Sequence, residues 1–269
     1  MIGKTFWKSI ALPSILYGTN VINLTETEIE KLQRIENGVY RKILGATKST
    51  ANTALRGEIG ASSMKARVMD GKLQYLNRTL NGKKEILKII IQDIQEKEGR
   101  WWKQPAKYLE ELSLGIRQIR RMNKAEIKTE TRKWDTEKWK EEIESKVSLE
   151  IYRTWKKEIK EELIYDNTFA SVISFRARTN TLKLNIVNRH NGGNVNCNFC
   201  ENEEEDLIHF LLFCQEYRKE RNEVIELQQP YEEDPKKIVG LFLFSETNIE
   251  KKKEVLNIMW KKRQNSTRR

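Results

Sequence analysis

The sequence predicts a mainly α-helical protein made of a helical bundle, long connecting helices and a small zinc-binding helical module near the carboxyl end. Apolar residues recur at helical spacing through several long segments. Helix-breaking residues are sparse, with 13 Gly and 4 Pro in 269 residues, and charged residues make up 33% of the chain. All three cysteines lie between positions 197 and 214. The first two observations predict the helices, and the third predicts the module.

Helix-capping patterns mark the first elements. Overlapping capping boxes begin at Thr25 and at Thr27, and the amphipathic stretch that follows them ends at Gly45. Either Ser62 or Ser63 can cap the next amphipathic helix. Basic side chains occupy the polar faces of both predicted helices. The sequence therefore predicts a basic helical region at the amino end.

Residues 124–163 form a long, heavily charged stretch in which an apolar residue recurs every four positions. On one straight helix this four-residue step would wind the apolar stripe by about 240°, which no single neighbour can bury. We therefore predict a break at 145–148, with Ser148 as the N-cap of a second helix. The apolar positions are Trp139, Ile143, Val147, Ile151, Trp155, Ile159 and Leu163.

The charge of the chain favours a polyanionic partner. The formal net charge is +11, and the sequence pI is about 9.4. Lys and Arg outnumber Asp and Glu by 12 to 6 in residues 1–80, 21 to 17 in 81–165 and 17 to 16 in 166–269. These ranges are the predicted regions: a basic helical region, charged connecting helices, and a carboxyl-terminal region with the zinc module. The expected partner is nucleic acid, RNA or DNA, bound without sequence specificity.

The location expected from the sequence is nuclear or cytoplasmic. No stretch approaches the roughly twenty apolar residues that a membrane-spanning helix needs. No secretory leader is recognised, and clustered cysteines without such a leader are typical of a reducing compartment. We therefore expect no membrane partner, while the oligomeric state is not indicated by the sequence.

The cysteines and a histidine follow the spacing C-x2-C-x8-H-x4-C, with Cys197, Cys200, His209 and Cys214 as the candidate ligands. Three thiolates and an imidazole make a closed tetrahedral shell for a structural Zn2+, with no open position for catalysis. A tight turn can present the first two sulfurs, and a predicted helix over 205–217 would present the other two ligands.

Three alternatives remain open for this motif at the level of sequence. Cys214 stands in an apolar run and can be an ordinary buried thiol, with Cys197 and Cys200 on the surface. A disulfide is possible, although the odd number of cysteines speaks against a complete set. His190, which precedes a turn, can replace His209 as the fourth ligand.

Two blocks of the chain resemble the carboxyl-terminal part of non-LTR (LINE-type) retrotransposon reverse transcriptases. The first, over residues 6–80, contains Ala-Leu-Pro-Ser-Ile-Leu-Tyr-Gly at 11–18 and Gly-Glu-Ile-Gly at 57–60, and resembles the thumb that follows the palm. The second, over 170–221, is similar to the cysteine–histidine region of the same polyproteins. The resemblance implies a thumb-like bundle that grips nucleic acid. The implied phosphate contacts are Lys31, Arg34, Arg41, Lys42, Lys65, Arg67 and Lys72.

The sequence departs from that family in its lack of catalytic residues. Reverse transcription needs paired palm aspartates that hold two Mg2+ ions, and the chain contains no Asp-Asp pair. It also lacks a P-loop lysine motif and a nucleophile-elbow serine motif. The resemblance therefore implies a non-catalytic fragment. The alternative is a structural or interaction protein, or a decayed open reading frame, whose zinc only holds helices together.

Overall fold

The structure, a computed structural model, describes residues 2–201, 203–228 and 234–266. It is mainly α-helical, as predicted, and a Cys/His cluster lies near the carboxyl end. Extended pairing within the described ranges is limited to two isolated antiparallel bridges. The two prolines Pro230 and Pro235 predict a linker; Pro230 lies outside the described residues, and Pro235 begins a helix.

The helices are short to medium in length, and irregular turns separate several of them. Within the described ranges, no helix is both long enough and apolar enough to span a lipid bilayer. The α-helices are α1 (Ile2–Phe6), α2 (Leu12–Leu16), α3 (Glu26–Leu44), α4 (Asn52–Ile59), α5 (Met64–Asn81), α6 (Glu85–Glu96), α7 (Lys103–Glu111), α8 (Ile116–Arg121), α9 (Lys124–Glu144), α10 (Glu150–Trp155), α11 (Phe169–Arg178), α12 (Arg218–Arg221), α13 (Pro235–Phe244) and α14 (Ile249–Ser266). The π-helical turns are Trp7–Ala11 and His209–Phe213, and the 3-10 turns are Val147–Leu149, Asn185–Asn191, Gln215–Tyr217 and Ile225–Leu227.

The chain divides into two compact units, each built from segments that are separate in sequence. The amino-terminal unit comprises Ile2–Val39 and Gly60–Glu141. The carboxyl-terminal unit comprises Tyr40–Ile59 and the chain from Glu142 onward. Helices α3 and α9 therefore contribute residues to both units.

This division differs from the predicted regions 1–80, 81–165 and 166–269. The predicted basic region is split, because residues 40–59 make their contacts with the distant carboxyl half. The Arg176 side chain, for example, donates hydrogen bonds from Nε and one terminal nitrogen to the Gly45 carbonyl, at 2.9 and 2.7 Å. Contacts between residues 131 positions apart do not affect the local periodicity of the sequence. The sequence alone therefore did not predict that residues 40–59 belong to the carboxyl-terminal unit.

Helix α5 forms the centre of the amino-terminal core. Its buried side chains recur at helical spacing, and each buried aliphatic side chain contributes about 1.5–3 kcal/mol. Residues from five other helices pack against it, so the unit is a small helical bundle. The core residues are Ile29, Met64, Val68, Met69, Leu73, Leu76, Ile91, Tyr108, Leu109, Ile119 and Ile127.

The capping alternatives are resolved in favour of Thr25 and Ser63. The Glu28 backbone N–H donates to Thr25 Oγ1 at 3.2 Å, and the Thr25 N–H donates to the Glu28 carboxylate at 2.7 Å. These reciprocal bonds are the capping box that the sequence predicted. At the start of α5, Ser63 Oγ accepts from the Ala66 N–H at 3.1 Å. Each cap satisfies a backbone donor that the helix itself leaves unpaired.

The long charged stretch breaks within the predicted window. Helix α9 ends at Glu144, a 3-10 turn follows, and α10 begins at Glu150. The predicted N-cap is wrong: Leu149 occupies that position, and no side chain caps the helix. The 3-10 turn explains the difference, because it places Ser148 inside the turn rather than at the start of the helix.

The second helix is also shorter than predicted, since α10 ends at Trp155 and does not reach Leu163. The Leu163 side chain is 89% exposed, so it does not continue the apolar stripe. The intervening chain leaves the helix, and the Glu162 N–H donates to the Glu58 carbonyl at 3.1 Å. A tertiary contact has therefore replaced local helix formation in this segment.

A buried arginine joins several elements of the carboxyl-terminal unit. Arg178 on α11 is 4% exposed and forms ion pairs with Glu58 at 3.0 Å and with Glu162 at 3.1 Å. A third guanidinium nitrogen donates to the Leu243 carbonyl at 2.9 Å, and the guanidinium carbon lies 4.2 Å from the centroid of the Phe244 ring. The charge is thus paired and hydrogen-bonded, as burial requires.

Close packing between α10 and α13 depends on a glycine. A Cβ placed on Gly240 would lie 1.8 Å from Nε1 of the Trp155 indole. The indole therefore rests against the backbone of α13, where no side chain fits. Trp155 is half-buried, so an added methyl at position 240 would have to displace either the indole ring or the helix.

We expect Gly240→Ala to lower the free energy of unfolding by about 1–3 kcal/mol, because the added methyl overlaps the indole. Urea denaturation followed by circular dichroism measures the change. Gly38→Ala is the matched control: a Cβ at this helical position meets nothing within 4 Å. The control should be neutral or stabilising by up to about 1 kcal/mol. Equal stabilities of the two variants would contradict the packing role of Gly240.

Candidate metal centre

The first two cysteines lie on a turn that backbone hydrogen bonds close. The Cys197 N–H donates to the Glu203 carbonyl at 2.7 Å, and the Glu201 N–H donates to the Cys197 carbonyl at 2.9 Å. Glu201 has φ +57°, the left-handed conformation that such a reversal uses. The Phe199 N–H lies 3.5 Å from Cys197 Sγ. The turn therefore presents both sulfurs to one side, and the Phe199 N–H points at one of them, Cys197 Sγ.

The other two ligands lie at the two ends of a π-helical turn, which corrects the predicted helix over 205–217: His209 begins the turn and Cys214 follows its last residue. The Cys214 N–H donates to the His209 carbonyl at 2.9 Å, the five-residue bond of a π-turn. In an α-helix a five-residue step would rotate the two side chains about 140° apart. The wider turn instead brings them to the same side. The Asp206 carboxylate caps this turn by accepting from the His209 N–H at 2.7 Å.

The four candidate ligand atoms converge. One ligand atom from each of Cys197, Cys200, His209 and Cys214 lies within 4.8 Å of all the others. Cys214 Sγ is 3.8 Å from Cys197 Sγ and 3.6 Å from Cys200 Sγ. These separations exclude a disulfide, whose sulfurs are about 2.05 Å apart, and all three cysteines are free. The geometry suits a single metal ion.

The choice between the two histidines is decided by position. His209 is 4% exposed and belongs to the cluster, whereas His190 is exposed and lies outside it. The Glu203 carboxylate lies 2.7 Å from His209 Nδ1, although neither ring nitrogen of His209 makes a hydrogen bond within the described residues. A carboxylate beside one ring nitrogen is an arrangement common for metal-binding histidines, because it orients the ring.

Glu203 lies beside the candidate ligand His209, and the sequence analysis did not identify it. Its position in the acidic run at 203–205 gives no local pattern that separates it from Glu204. Glu204 instead forms an ion pair with Arg189. Only the folded turn, which brings the run back toward His209, distinguishes the two glutamates.

The thiols are in surroundings that oppose their ionisation. Burial raises the pKa of Cys197 and of Cys214, and the neighbouring Cys197 raises the pKa of Cys214 further. Uncompensated thiolates are therefore unfavourable here. A divalent cation would reverse this, because it stabilises the thiolate form of each sulfur that it contacts. The donor set and its burial fit a metal ion.

The cluster is embedded in the core of the carboxyl-terminal unit. The Phe210 ring packs edge-on against Tyr217, with 5.0 Å between centroids, and against Trp260 of α14, at 6.3 Å. Arg263, also on α14, donates to both carboxylate oxygens of Glu205 at 2.8 and 2.6 Å. The segment that carries the ligands is thereby attached to the last helix.

The predicted phosphate contacts are in very different environments, and Lys72 is the clearest correction. Its side chain is fully buried, and its ammonium donates to the Ile22 carbonyl at 2.7 Å and to Asn23 Oδ1 at 2.6 Å. Burial lowers the pKa of Lys72 to about 8. The amphipathic pattern does not predict this burial, because a lysine that binds a loop cannot be distinguished by sequence from a lysine on the surface.

Three further predicted contacts are engaged within the protein. Lys65 pairs with Glu111 at 3.0 Å, and Arg67 pairs with Glu36 at 2.6 Å. The Arg41 guanidinium donates to backbone oxygens of the loop that follows α3, at 2.6 and 2.8 Å. These side chains stabilise the fold, so phosphate binding would compete with their present partners.

The other predicted contacts, Lys31, Arg34 and Lys42, are exposed on α3. Arg34 lies 3.3 Å from the Glu30 carboxylate, but both side chains are well exposed, and such surface pairs contribute little. Of the seven predicted residues, these three are the ones in a position to meet a phosphate.

The chain matches no protein-family model, no curated protein and no solved structure. The resemblance to non-LTR reverse transcriptases therefore rests on the motifs in the sequence. The metal-binding geometry stands independently, because it follows from the positions of the side chains themselves.

We expect His209→Ala to abolish stoichiometric metal binding, because three thiols alone leave the shell incomplete. His190→Ala is the matched control and should retain the metal. Native mass spectrometry of protein purified with zinc counts the bound ions, and circular dichroism follows unfolding. His209→Cys should restore binding, since four cysteines also make a tetrahedral zinc site. Retention of metal by both Cys197→Ser and Cys214→Ser would overturn the ligand assignment.

Proposed function

We propose that Cys197, Cys200, His209 and Cys214 hold one structural Zn2+, and that the chain is a non-catalytic carboxyl-terminal part of a non-LTR retrotransposon reverse transcriptase that binds nucleic acid. The sulfur spacing carries the metal assignment. Zn–S bonds of about 2.3 Å in a tetrahedron place sulfurs about 3.8 Å apart. The observed separations are 3.6 and 3.8 Å.

The composition of the ligand set supports a structural role for the ion. Four protein ligands complete a tetrahedron, so no position remains for water or substrate. When bound, the ion supplies a fixed junction between the Cys197–Cys200 turn and the π-turn that carries His209 and Cys214. Because unfolded chains rarely hold such a site, the binding free energy contributes to folding.

The motif order and the charge support nucleic-acid binding. The thumb-like block precedes the cysteine–histidine block, in the order of the family that they resemble. The net charge is +11, and the excess is concentrated in residues 1–80. Exposed Lys31, Arg34 and Lys42 on α3 offer phosphate contacts that read no bases. Such contacts give affinity for any sequence, through the release of condensed counterions.

The aspartates support a non-catalytic role. Asp206 caps the π-turn, Asp135 accepts from the Ser63 N–H at 3.0 Å, and Asp166 pairs with Lys253 at 2.6 Å. Each therefore has a role in stabilising the fold. Two-metal nucleotidyl transfer instead needs carboxylates grouped around a pair of ions about 3.5–4 Å apart.

A second candidate is a structural or interaction protein whose zinc only holds helices together. The surroundings of the cluster favour it, because the metal ligands are buried in the core and the acidic run 203–205 is adjacent to them. Acidic neighbours make the metal centre a poor phosphate site. This candidate accounts for the metal but gives no role to the excess of cations in residues 1–80.

We expect the zinc-loaded chain to bind duplex DNA and RNA without sequence preference, with Kd about 10^-4 to 10^-6 M at physiological salt. Reversal of Lys31, Arg34 and Lys42 to Glu should weaken duplex binding equally on every sequence. The salt slope should also fall by about 0.9 for each phosphate that the variant no longer neutralises. Fluorescence anisotropy over a potassium chloride series measures both quantities.

The matched control for this experiment reverses three exposed lysines on α9, Lys133, Lys138 and Lys140, to Glu. It changes the net charge by the same amount without touching α3, and it should leave the salt slope nearly unchanged. If the wild-type chain does not bind even at low salt, the nucleic-acid proposal is wrong, and the structural candidate is favoured.

We also expect no nucleotide incorporation on a primed RNA template with Mg2+ or Mn2+, because no pair of aspartates is available to hold the two ions. A primer-extension assay with radiolabelled nucleotide tests this. Activity that follows the chain through successive purification steps, and that disappears on substitution of one of its own aspartates, would contradict the assignment.

A further inference from the structure

The amino-terminal unit contains a groove of about 930 Å3, and of the seven predicted phosphate contacts only Arg67 lines it. It is lined by the segment around 8–21, by the turn at 60–62, and by helices α5 and α9. Five of the lining side chains are cationic and one is a carboxylate: Lys8, Arg67, Arg78, Lys128 and Arg132, with Asp70.

Four of these five cations are exposed: Lys8, Arg78, Lys128 and Arg132. The last three come from two different helices that line the same groove, α5 and α9. Arg67 differs, since it already pairs with Glu36. The carboxylate of Asp70 accepts a hydrogen bond from Gln74 at 2.6 Å. The groove therefore has a net positive lining, and a concave site with one sign of charge concentrates counter-charged ligands.

Two tyrosines line the same groove. Tyr17 is 89% exposed, an unusual position for a large aromatic ring that has no evident packing role. Tyr75 is held more firmly: its ring lies edge-on to Trp101, with 5.9 Å between centroids, and the Arg78 guanidinium carbon is 5.4 Å from its centroid. Exposed aromatic rings beside cations are the pairing that binds unstacked bases together with their phosphates.

Glycine at position 71 supports a ligand at the groove. Gly71 lies inside α5, where glycine costs about 1 kcal/mol relative to alanine. Protein packing does not require it, because a Cβ there would meet only Asn20 Cβ, at 4.0 Å. Yet Gly71 is part of the groove lining. A glycine in such a wall allows a ligand to approach the helix backbone closely.

We propose that this groove binds a single strand of nucleic acid, with phosphates against Arg78, Lys128 and Arg132 and a base stacked on Tyr17. The proposal rests on the proposed function and adds the strand state and the contact residues. A single strand is favoured over a duplex because the bases of a duplex are stacked on one another. Only an unpaired base offers its face to Tyr17 while its phosphates reach the cations.

The test uses the full zinc-loaded chain with fluorescein-labelled 20-nucleotide oligouridylate and oligothymidylate, and with a hairpin duplex. The double variant Lys128→Glu/Arg132→Glu should weaken single-strand binding at least tenfold. It should also lower the salt slope by about 1.4, which is about 0.7 for each of two phosphates on a single strand. The matched control Lys133→Glu/Lys140→Glu reverses two charges on the same helix outside the groove lining, and should stay within about twofold of wild type.

Variants of Tyr17 test base stacking independently of the phosphate contacts, because they leave the charge of the groove unchanged. Tyr17→Ala should weaken single-strand binding by about 5- to 140-fold, the range expected when one base is no longer stacked. Tyr17→Phe keeps the ring and should bind nearly as the wild type does. Neither variant should change duplex binding, because a duplex presents no free base face. The exposure of Tyr17 means that both variants should fold normally, and circular dichroism checks this.

The outcomes distinguish this proposal from the one on which it rests. If both strand states bind but the α9 groove variant and its control weaken single-strand binding equally, the groove assignment is wrong and nucleic-acid binding stands. Equal single-strand affinities of Tyr17→Ala and Tyr17→Phe would likewise overturn the stacking interaction. If no probe binds at low salt, the proposed function itself fails. A selective decrease of single-strand affinity in the groove and Tyr17→Ala variants supports the proposal.

Discussion

The constraint that organises the carboxyl-terminal unit is the convergence of three sulfurs and one imidazole on a single point. These groups lie on two irregular turns, and neither turn is a regular helix that would form in isolation. The same segment contributes Phe210, Tyr217 and both buried cysteines to the apolar core, so the position of the ligands and the packing of the core are coupled. A metal ion at this point would supply a common partner for the buried thiols and the imidazole.

A second group of buried polar residues connects the segments of this unit that are distant in sequence. Arg178 joins Glu58 of α4 to Glu162, and the Tyr165 hydroxyl also contacts the Glu58 carboxylate. Buried ion pairs of this kind often add little net stability, because the desolvation of both charges offsets their attraction. These ion pairs instead favour one arrangement of the segments, because removal of one partner leaves the other as an unpaired charge in the core. The Cys/His cluster and the arginine group together join segments that are distant in sequence, which helix propensity alone does not do.

Net charge and available charge are different quantities in this molecule. The first 80 residues carry twice as many cations as anions, yet Lys72 is buried and Arg67 is paired with Glu36. Meanwhile α9, whose charges are nearly balanced along the sequence, contributes Lys128 and Arg132 to a groove with a single carboxylate. Electrostatic attraction depends on where cations lie relative to one another and to their counter-ions. The number of charged residues along the sequence therefore indicates the class of partner. It does not indicate which residues make the contacts.

The sequence by itself determined the helical class and the break after α9. It narrowed the helix caps to Thr25 or Thr27 and to Ser62 or Ser63, and the candidate metal ligands to three cysteines and one of two histidines. Each depends on residues close together in the chain, where spacing and propensity act directly. Only the tertiary structure decided that residues 40–59 belong with the carboxyl half, that α10 stops at Trp155, and that a π-turn aligns His209 with Cys214. It also decided the burial of Lys72 and the placement of Glu203 beside the histidine. All of these depend on contacts between distant segments, or on a backbone geometry that local sequence does not encode, and such contacts outweigh the preferences of any single stretch.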